Sequence, residues 1–295
     1  MNPLNNIPLA KQETLRRAVD ALKKIEGVAA IVLGGSYARG THHAESDLDL
    51  GIYYSPASPF AIESIRQVAQ ELSDNDHPAV TDFYGWGPWV NGGAWIQTKS
   101  GKVDLIYRNL EQVERTIEEA INGIWHHHYD QQPTFGFYSV IYLAETKVCI
   151  PLSDSDQVIA RLKQSVQTYP PKLRQKIVVD TLWGAEFALW FARQYAAAGD
   201  VYNTVGCITR ITGYLTQALF ALNTEYYISD KKVMDAIAQF EHRPANYVER
   251  VNQILAYPGA TSEELVSTVN NVQAVWHEAV ELAGEMYQSK FILGN

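Results

Sequence analysis

The stretch Gly34-Gly35-Ser36-Tyr37-Ala38-Arg39-Gly40 is followed, after five residues, by Ser46-Asp47-Leu48-Asp49-Leu50. These residue types can build a phosphate and metal site. Paired glycines at a strand end let the backbone turn sharply and approach a ligand closely. A helical turn begun by Ser36 offers free amides and a hydroxyl to phosphate oxygens. Asp47 and Asp49, two apart on a strand, project from one face. Carboxylates that close repel unless a cation or a proton shares the site. Hard divalent cations such as Mg²⁺ take carboxylate, water and phosphate oxygens. A phosphate cradle beside a carboxylate pair therefore suits a metal–triphosphate complex.

The segment Gly35-Ser36-x-Ala38-Arg39-Gly40-x5-Ser46-Asp47-x-Asp49-Leu50 resembles the signature of the polymerase-beta nucleotidyltransferase superfamily, and in particular its minimal and antibiotic (aminoglycoside and lincosamide) nucleotidyltransferases. That resemblance implies a third carboxylate on a neighbouring strand. Asp104 is the candidate, an acid among Val103, Leu105 and Ile106, where an unpaired charge would be costly to bury. By resemblance, Asp47 and Asp49 hold the metal that grips the triphosphate, and with Asp104 they hold a second Mg²⁺ that activates the attacking hydroxyl. The implied reaction is in-line attack on the α-phosphorus of a nucleoside triphosphate, ATP by preference, with pyrophosphate leaving. Asp104 can also accept the hydroxyl proton. Gly35, Ser36 and Arg39 would serve the phosphates, although Arg39 could instead pair with Glu45.

Those residues need strands and helices to hold them. Leu15, Val19, Leu22 and Ile25 recur at helical spacing, Gly27 stops that helix, and AAIVLGG reads as a short buried strand. DLDLGIYY is a second strand. Ser58-Pro59 predicts a helix start, with Ile62, Ile65, Ala69 and Leu72 as its buried stripe. After the Gly-, Pro- and Trp-rich loop YGWGPWVNGGAW, the runs AWIQT and KVDLIYR flank Ser100-Gly101 as a hairpin. Asn109 can cap a helix carrying Leu110, Val113, Ile117 and Ile121. Beyond Pro151 helical patterns dominate: Pro170-Pro171 and Pro258-Gly259 punctuate them, and a Thr261-x-x-Glu264 capping box opens the stripe Leu265, Val269, Val272, Trp276, Val280. The expected fold class is α+β: a nucleotidyltransferase-fold mixed sheet with flanking helices over residues 1–150, then an all-helical bundle over 151–295.

The helical half resembles substrate domains attached to antibiotic nucleotidyltransferases. In LFALNTEYYISDKK that likeness places Asn223 and Tyr227 near sugar or base and Lys231 near the phosphates, while a plain helix end is the alternative reading. Asn203 is a weaker candidate. Antibiotic-modifying relatives often add a glutamate base, for which Glu145, Glu186 and Glu225 are available; Glu186, amid Trp183, Phe187, Leu189 and Trp190, reads better as facing water. His126-His127-His128 cannot share one ion while helical, because successive positions diverge by about 100°. Trp86, Trp89 and Trp95 could line a substrate slot or clamp their loop to the core.

Composition narrows the function classes. The chain has 295 residues with 46% hydrophobic and 19% charged content, which excludes a disordered or coiled-coil protein. The net charge is −9, with 12 Lys/Arg against 18 Asp/Glu in the first 150 residues, and that argues against a broad nucleic-acid face. No G-x-x-x-x-G-K-[ST] occurs, which excludes a P-loop enzyme. The opening MNPLNNIPLAKQ lacks the pattern of a secretory leader, no apolar run spans a bilayer, and Cys149 and Cys207 have no metal-type spacing, so a cytoplasmic protein with two buried thiols is expected. The leading expectation is an enzyme transferring AMP to a hydroxyl of a small molecule, an antibiotic being one setting. The alternatives are AMP transfer to a protein, as in toxin–antitoxin-like regulation, and a non-catalytic nucleotide-sensing module.

Overall fold

The structure is a computed structural model that describes residues 7–74 and 77–291; the first six residues of the stretch read for a leader lie outside them. The chain divides into two compact units, one of residues 1–119 and 126–168, the other of residues 120–125 and 169–295.

The first unit is built on a mixed six-stranded sheet, in the order β3 (Ala79–Val80), β4 (Gly93–Thr98), β5 (Gly101–Asn109), β2 (Leu48–Tyr54), β1 (Ala30–Leu33) and β8 (Ile150–Ser153). Helix α1 (Leu9–Leu22) leads to β1 (Ala30–Leu33), the short α2 (Gly35–Arg39) and β2 (Leu48–Tyr54). Then come α3 (Ile62–Leu72), β3 (Ala79–Val80), β4 (Gly93–Thr98) and β5 (Gly101–Asn109). β1 and β2 pair antiparallel, as do β4 and β5, where Thr98 pairs with Gly101 and the two-residue turn is Lys99-Ser100, one residue earlier than the expected Ser100-Gly101. β2 and β5 pair in parallel, the geometry that a crossover through α3 permits. One face of the sheet carries the core: Leu48, Leu50, Ile52, Val103, Leu105 and Tyr107 alternate into it against Leu15, Ala18 and Leu22 of α1 and Ile65 and Ala69 of α3.

Several local expectations change here. Helix α3 begins at Ile62, not at Pro59, because Ser55 and Ser58 bridge in a tight turn and the following extended segment drives Phe60 into the core against Tyr54, Phe83 and Tyr107. Helix α4 (Leu110–Ile121) is capped by Asn109, whose side-chain oxygen accepts from the Gln112 amide, but Ile121 at its end is exposed. The sheet also reaches past Pro151: after α5 (Val140–Val148), β8 (Ile150–Ser153) pairs with β1, and α6 (Val158–Ser165) follows within the first unit. The three histidines are not helical. β6 (His127–His128) pairs with β7 (Phe137–Tyr138); His126 reaches Glu119, His127 stacks on Tyr138, and the rings of His126 and His128 both lie against Trp89.

The second unit is helical: α7 (Pro171–Ala197), α8 (Val201–Leu222), α9 (Val233–Ile237), α10 (Tyr247–Ala256) and α11 (Ser262–Ala283). Pro171 stands at the first turn of α7, and both halves of the Thr261/Glu264 capping box open α11. Leu265, Val269, Val272 and Trp276 are buried, and the Trp276 indole donates to Leu182 O. Both cysteines are free thiols; Cys149 is buried, which pushes its thiol up to about 11, and Cys207 is half-buried. Among the described residues no helix is long and apolar enough to cross a membrane.

Candidate functional site

The glycine turn closes onto the second aspartate. Gly34 leaves β1 with its amide donating to Asp49 O at 2.8 Å. Gly35 then takes a left-handed backbone, φ +58°, and a Cβ there would lie 1.7 Å from Asp49 Oδ2. Glycine is required on both counts, since only it adopts this φ without strain and only its missing side chain leaves room for the carboxylate. Ser36 sits half-buried in the first turn of α2, which Gly40 ends at φ +70°. Arg39 folds back on this turn, its Nε donating to Gly35 O at 3.4 Å, and among the described residues no ion pair joins it to Glu45.

The segment entering β2 is held by a residue that the motif does not include. Lys11 of α1 is only 6% exposed, and its Nζ donates to Ala44 O and Ser46 O at 3.0 and 2.5 Å. The Ser46 hydroxyl in turn accepts from the His43 amide. The approach to Asp47 is thereby fixed from the main chain outward. Lys11 lies four residues before Leu15 and seven before Ala18, so it shares the buried stripe of α1; a lysine on an apolar stripe was the available signal for it.

The parallel register of β2 and β5 pairs Asp49 with Asp104. Register partners on adjacent strands share a face and stand about 4.8 Å apart, so the two half-buried carboxylates are neighbours opposite the core. Asp47, also half-buried, precedes β2 by one residue. Among the described residues no three His, Cys, Asp or Glu side chains gather closely enough to hold a metal ion; the fold brings together the Asp49–Asp104 pair. That pair still fits a divalent cation. Two hard-oxygen donors of like charge lie side by side, next to a backbone turn where the space for a Cβ is left to a carboxylate oxygen.

The candidates in the second unit hold the chain to itself. Asn223 is the residue after α8: its amide nitrogen donates to Leu219 O and His242 O, both at 2.8 Å, and its oxygen accepts from the His242 amide. Tyr227 is buried with its ring edge-on to Phe220, and its hydroxyl donates to Asp230. Both side chains therefore hold neighbouring segments of the second unit. Lys231 and Glu225 are exposed on the same loop. Asn203 is exposed too and belongs to the N-cap of α8, with Asp200 accepting from its amide and its side chain.

Two candidate bases are also engaged. Both oxygens of Glu145 accept from the buried Arg108, at 2.7 and 2.9 Å. Burial opposes the Arg108 charge, but the Glu145 carboxylate more than offsets this and holds the guanidinium above its ordinary value. Glu186 reverses the expectation that it faces water. It is fully buried, while its neighbours Trp183, Phe187 and Trp190 are exposed. Its carboxylate accepts from the Tyr287 hydroxyl, the Ser289 hydroxyl and the Lys290 and Phe291 amides, fastening the segment after α11 onto α7. Burial pushes this carboxyl up, but those four donors outweigh it and hold the group below the usual carboxylate range. A depressed folded-state value stabilises the fold above the ordinary glutamate range, and the contribution is lost as pH falls through the folded value. Glu186→Gln should cost about 2–3 kcal/mol at neutral pH. In urea titrations its deficit from the parent chain should shrink under acid conditions; a midpoint equal to the parent at neutral pH would show that the network adds nothing.

Trp89 is 8% exposed within a ring cluster of Phe137, Tyr142 and His128, and the Tyr142 hydroxyl donates to its carbonyl. It clamps the loop. Trp86 and Trp95 stack on each other instead, with centroids 4.9 Å apart.

Comparison with known proteins bears on the first unit. Residues 15–88, about a quarter of the chain, match the nucleotidyltransferase domain family. That segment includes Gly35, Ser36, Arg39, Asp47 and Asp49, and it stops before Asp104. No curated protein matches the chain. Among solved structures, a nucleotidyltransferase-like protein from Exiguobacterium sibiricum 255-15 aligns with a TM-score of 0.48 at 9% identity, covering 94% of this chain and 78% of its own. An aminoglycoside 6-adenyltransferase from Bacillus subtilis aligns with a TM-score of 0.35 at 11% identity, covering 95% and 92%.

Proposed function

We propose that the first unit is the catalytic unit of a nucleotidyltransferase, which moves a nucleoside monophosphate, AMP from ATP, onto a hydroxyl of a small molecule. The observation that carries this reading is the row formed by the Gly34-Gly35 turn, Asp49 and Asp104, lying in the part of the chain whose signature and family match point to nucleotidyl transfer. Asp47, Asp49 and Asp104 would hold Mg²⁺, two ions in the full form of the proposal. A cation held there would supply neutralising charge to the triphosphate and a lowered pKa to the attacking hydroxyl.

The chain's own residues then have distinct duties. The amides of Gly35 and Ser36 and the Ser36 hydroxyl bind phosphate oxygens, and Arg39 at the end of the same turn adds positive charge. Asp104, on the strand beyond Asp49, accepts the proton of the acceptor hydroxyl. The hydroxyl oxygen forms its bond to the α-phosphorus as the bond to the β-phosphate oxygen breaks, and pyrophosphate leaves. Lys11 keeps the entry to β2 in place throughout. Neither Asn223 nor Tyr227 has a part in this reading, and Glu145 is bound to Arg108, so Asp104 is the proposed base. Incubation with ATP, Mg²⁺ and a panel of hydroxyl compounds should release pyrophosphate and add one nucleotide mass to an acceptor. Mass gain on a co-incubated protein with none on any small molecule would move the proposal to protein modification.

A further inference from the structure

The carboxylate row continues onto β4. Trp95 is the register partner of Asp104 across the antiparallel β4–β5 pair, so its indole shares the face that carries Asp104 and Asp49. From Asp49 the order across the sheet is Asp104 and then Trp95, one strand spacing of about 5 Å at each step. The glycine turn closes the opposite end of this row, because Gly34 pairs its amide with Asp49 O.

Trp95 is 58% exposed, although it stands in a strand whose neighbours Ala94 and Ile96 are buried. A large aromatic left in water beside two carboxylates contributes little to the core. It is nevertheless held in one position. Trp86 stacks on it with ring planes 23° apart, and the Trp86 ring itself lies over Gly93, where a Cβ would come within 2.8 Å of it. The loop carrying Trp86 is pinned by Gln131, which donates to Trp86 O and accepts from the Trp89 amide. It is pinned again by the fully buried Asn91, which donates to Gln112 and accepts from the Asn109 amide. A rigid indole pair therefore stands next to the proposed base, on the side away from the phosphate-binding turn.

We propose that the Trp95–Trp86 pair is the acceptor platform: a hydroxyl-bearing ring lies with its face on the Trp95 indole and presents its hydroxyl to Asp104. The identity of the reacting group rests on the nucleotidyltransferase reading, but the platform itself is a binding surface. Indole faces take flat apolar surfaces, including the C–H face of a sugar ring, and attract cationic groups. One strand spacing is the reach of a single ring between a stacked face and a hydroxyl at the neighbouring carboxylate. Open-chain polyols have no face to stack and should gain nothing from the pair.

The test compares the parent chain with Trp95→Ala, Trp95→Phe and Trp86→Ala, using ATP, Mg²⁺ and three acceptor sets: pyranosides, phenols and open-chain polyols. Trp95→Ala should raise KM for ring acceptors about tenfold, as expected for loss of one stacked ring, with kcat and the KM for ATP nearly unchanged. Trp95→Phe should recover part of the loss. The pyranoside and phenol arms identify which ring chemistry is preferred. Ring acceptors unaffected by Trp95→Ala, or polyols used as well as rings, would overturn the proposal. Tryptophan fluorescence titrated with the same ring compounds, without ATP, separates the two levels. Quenching in the parent chain that disappears in Trp95→Phe, with no transfer to any acceptor, upholds the platform and removes the transferase reading. Neither quenching nor transfer removes the platform.

Discussion

Asp49→Asn should reduce nucleotidyl transfer by about a thousandfold or more, because the amide keeps the shape of the carboxylate but removes the charge that a divalent cation needs. The fold should survive. Gly34 donates to the backbone Asp49 O, and the register with Asp104 is set by β2–β5 pairing, so the variant keeps these main-chain contacts. Asp104→Asn should produce a loss of similar order, and the double variant should be scarcely worse than either single one, since residues that act on one reacting centre are not additive. A second readout does not depend on turnover. Mg²⁺ with ATP should raise the melting temperature of the parent chain by binding the folded state and should fail to do so for Asp49→Asn. Transfer within tenfold of the parent in the double variant would remove these carboxylates from the chemistry.

The residues proposed to carry the chemistry stood out in the sequence where a residue type conflicts with its surroundings. Asp104 is an acid in an apolar strand, Asp47 and Asp49 flank a buried leucine, and Gly34-Gly35 end a strand. What brings Asp104 beside Asp49 is the parallel register of two strands separated by a helix and two further strands, and periodicity cannot specify it. Tertiary packing also overrode local signals. Pro59 has the chemistry of a helix start, but burying Phe60 delays α3 to Ile62. Glu186 sits among aromatic residues that the helix turns outward, so the carboxylate points inward and finds its donors about a hundred positions later, at a separation no local pattern reveals. Asn223 belongs to a stretch that resembles a nucleotide-contacting segment, yet its amide is satisfied by Leu219 and His242. Trp89 and Trp95 come from one aromatic loop-and-strand run; strand alternation and neighbouring rings make the first a clamp and leave the second at the edge of the carboxylate row.

Gly35→Ala should be the most damaging single-atom change in the glycine turn. A Cβ at Gly35 would fall 1.7 Å from Asp49 Oδ2 and 2.5 Å from its Cγ, so the carboxylate must leave its position or the turn must open. The left-handed φ of +58° adds backbone strain of about 1–2 kcal/mol for a residue with a Cβ. Two neighbours separate these effects. A Cβ at Gly34 would meet nothing closer than Asp49 O at 3.7 Å, an ordinary contact, so Gly34→Ala should keep transfer within a few-fold of the parent. Gly40 has a φ of +70° with nothing within 4 Å of its Cβ position, so Gly40→Ala should lose about 1 kcal/mol of stability and retain activity. Gly35→Ala alone should lose transfer by about a hundredfold or more, along with the thermal shift induced by Mg²⁺ and ATP, since it displaces a charge that the proposed metal site requires. Melting curves and pyrophosphate release for the three variants read this pattern directly. If Gly35→Ala and Gly40→Ala behave alike, strain alone accounts for the turn, and the close approach of Gly35 to Asp49 has no part in positioning the carboxylate.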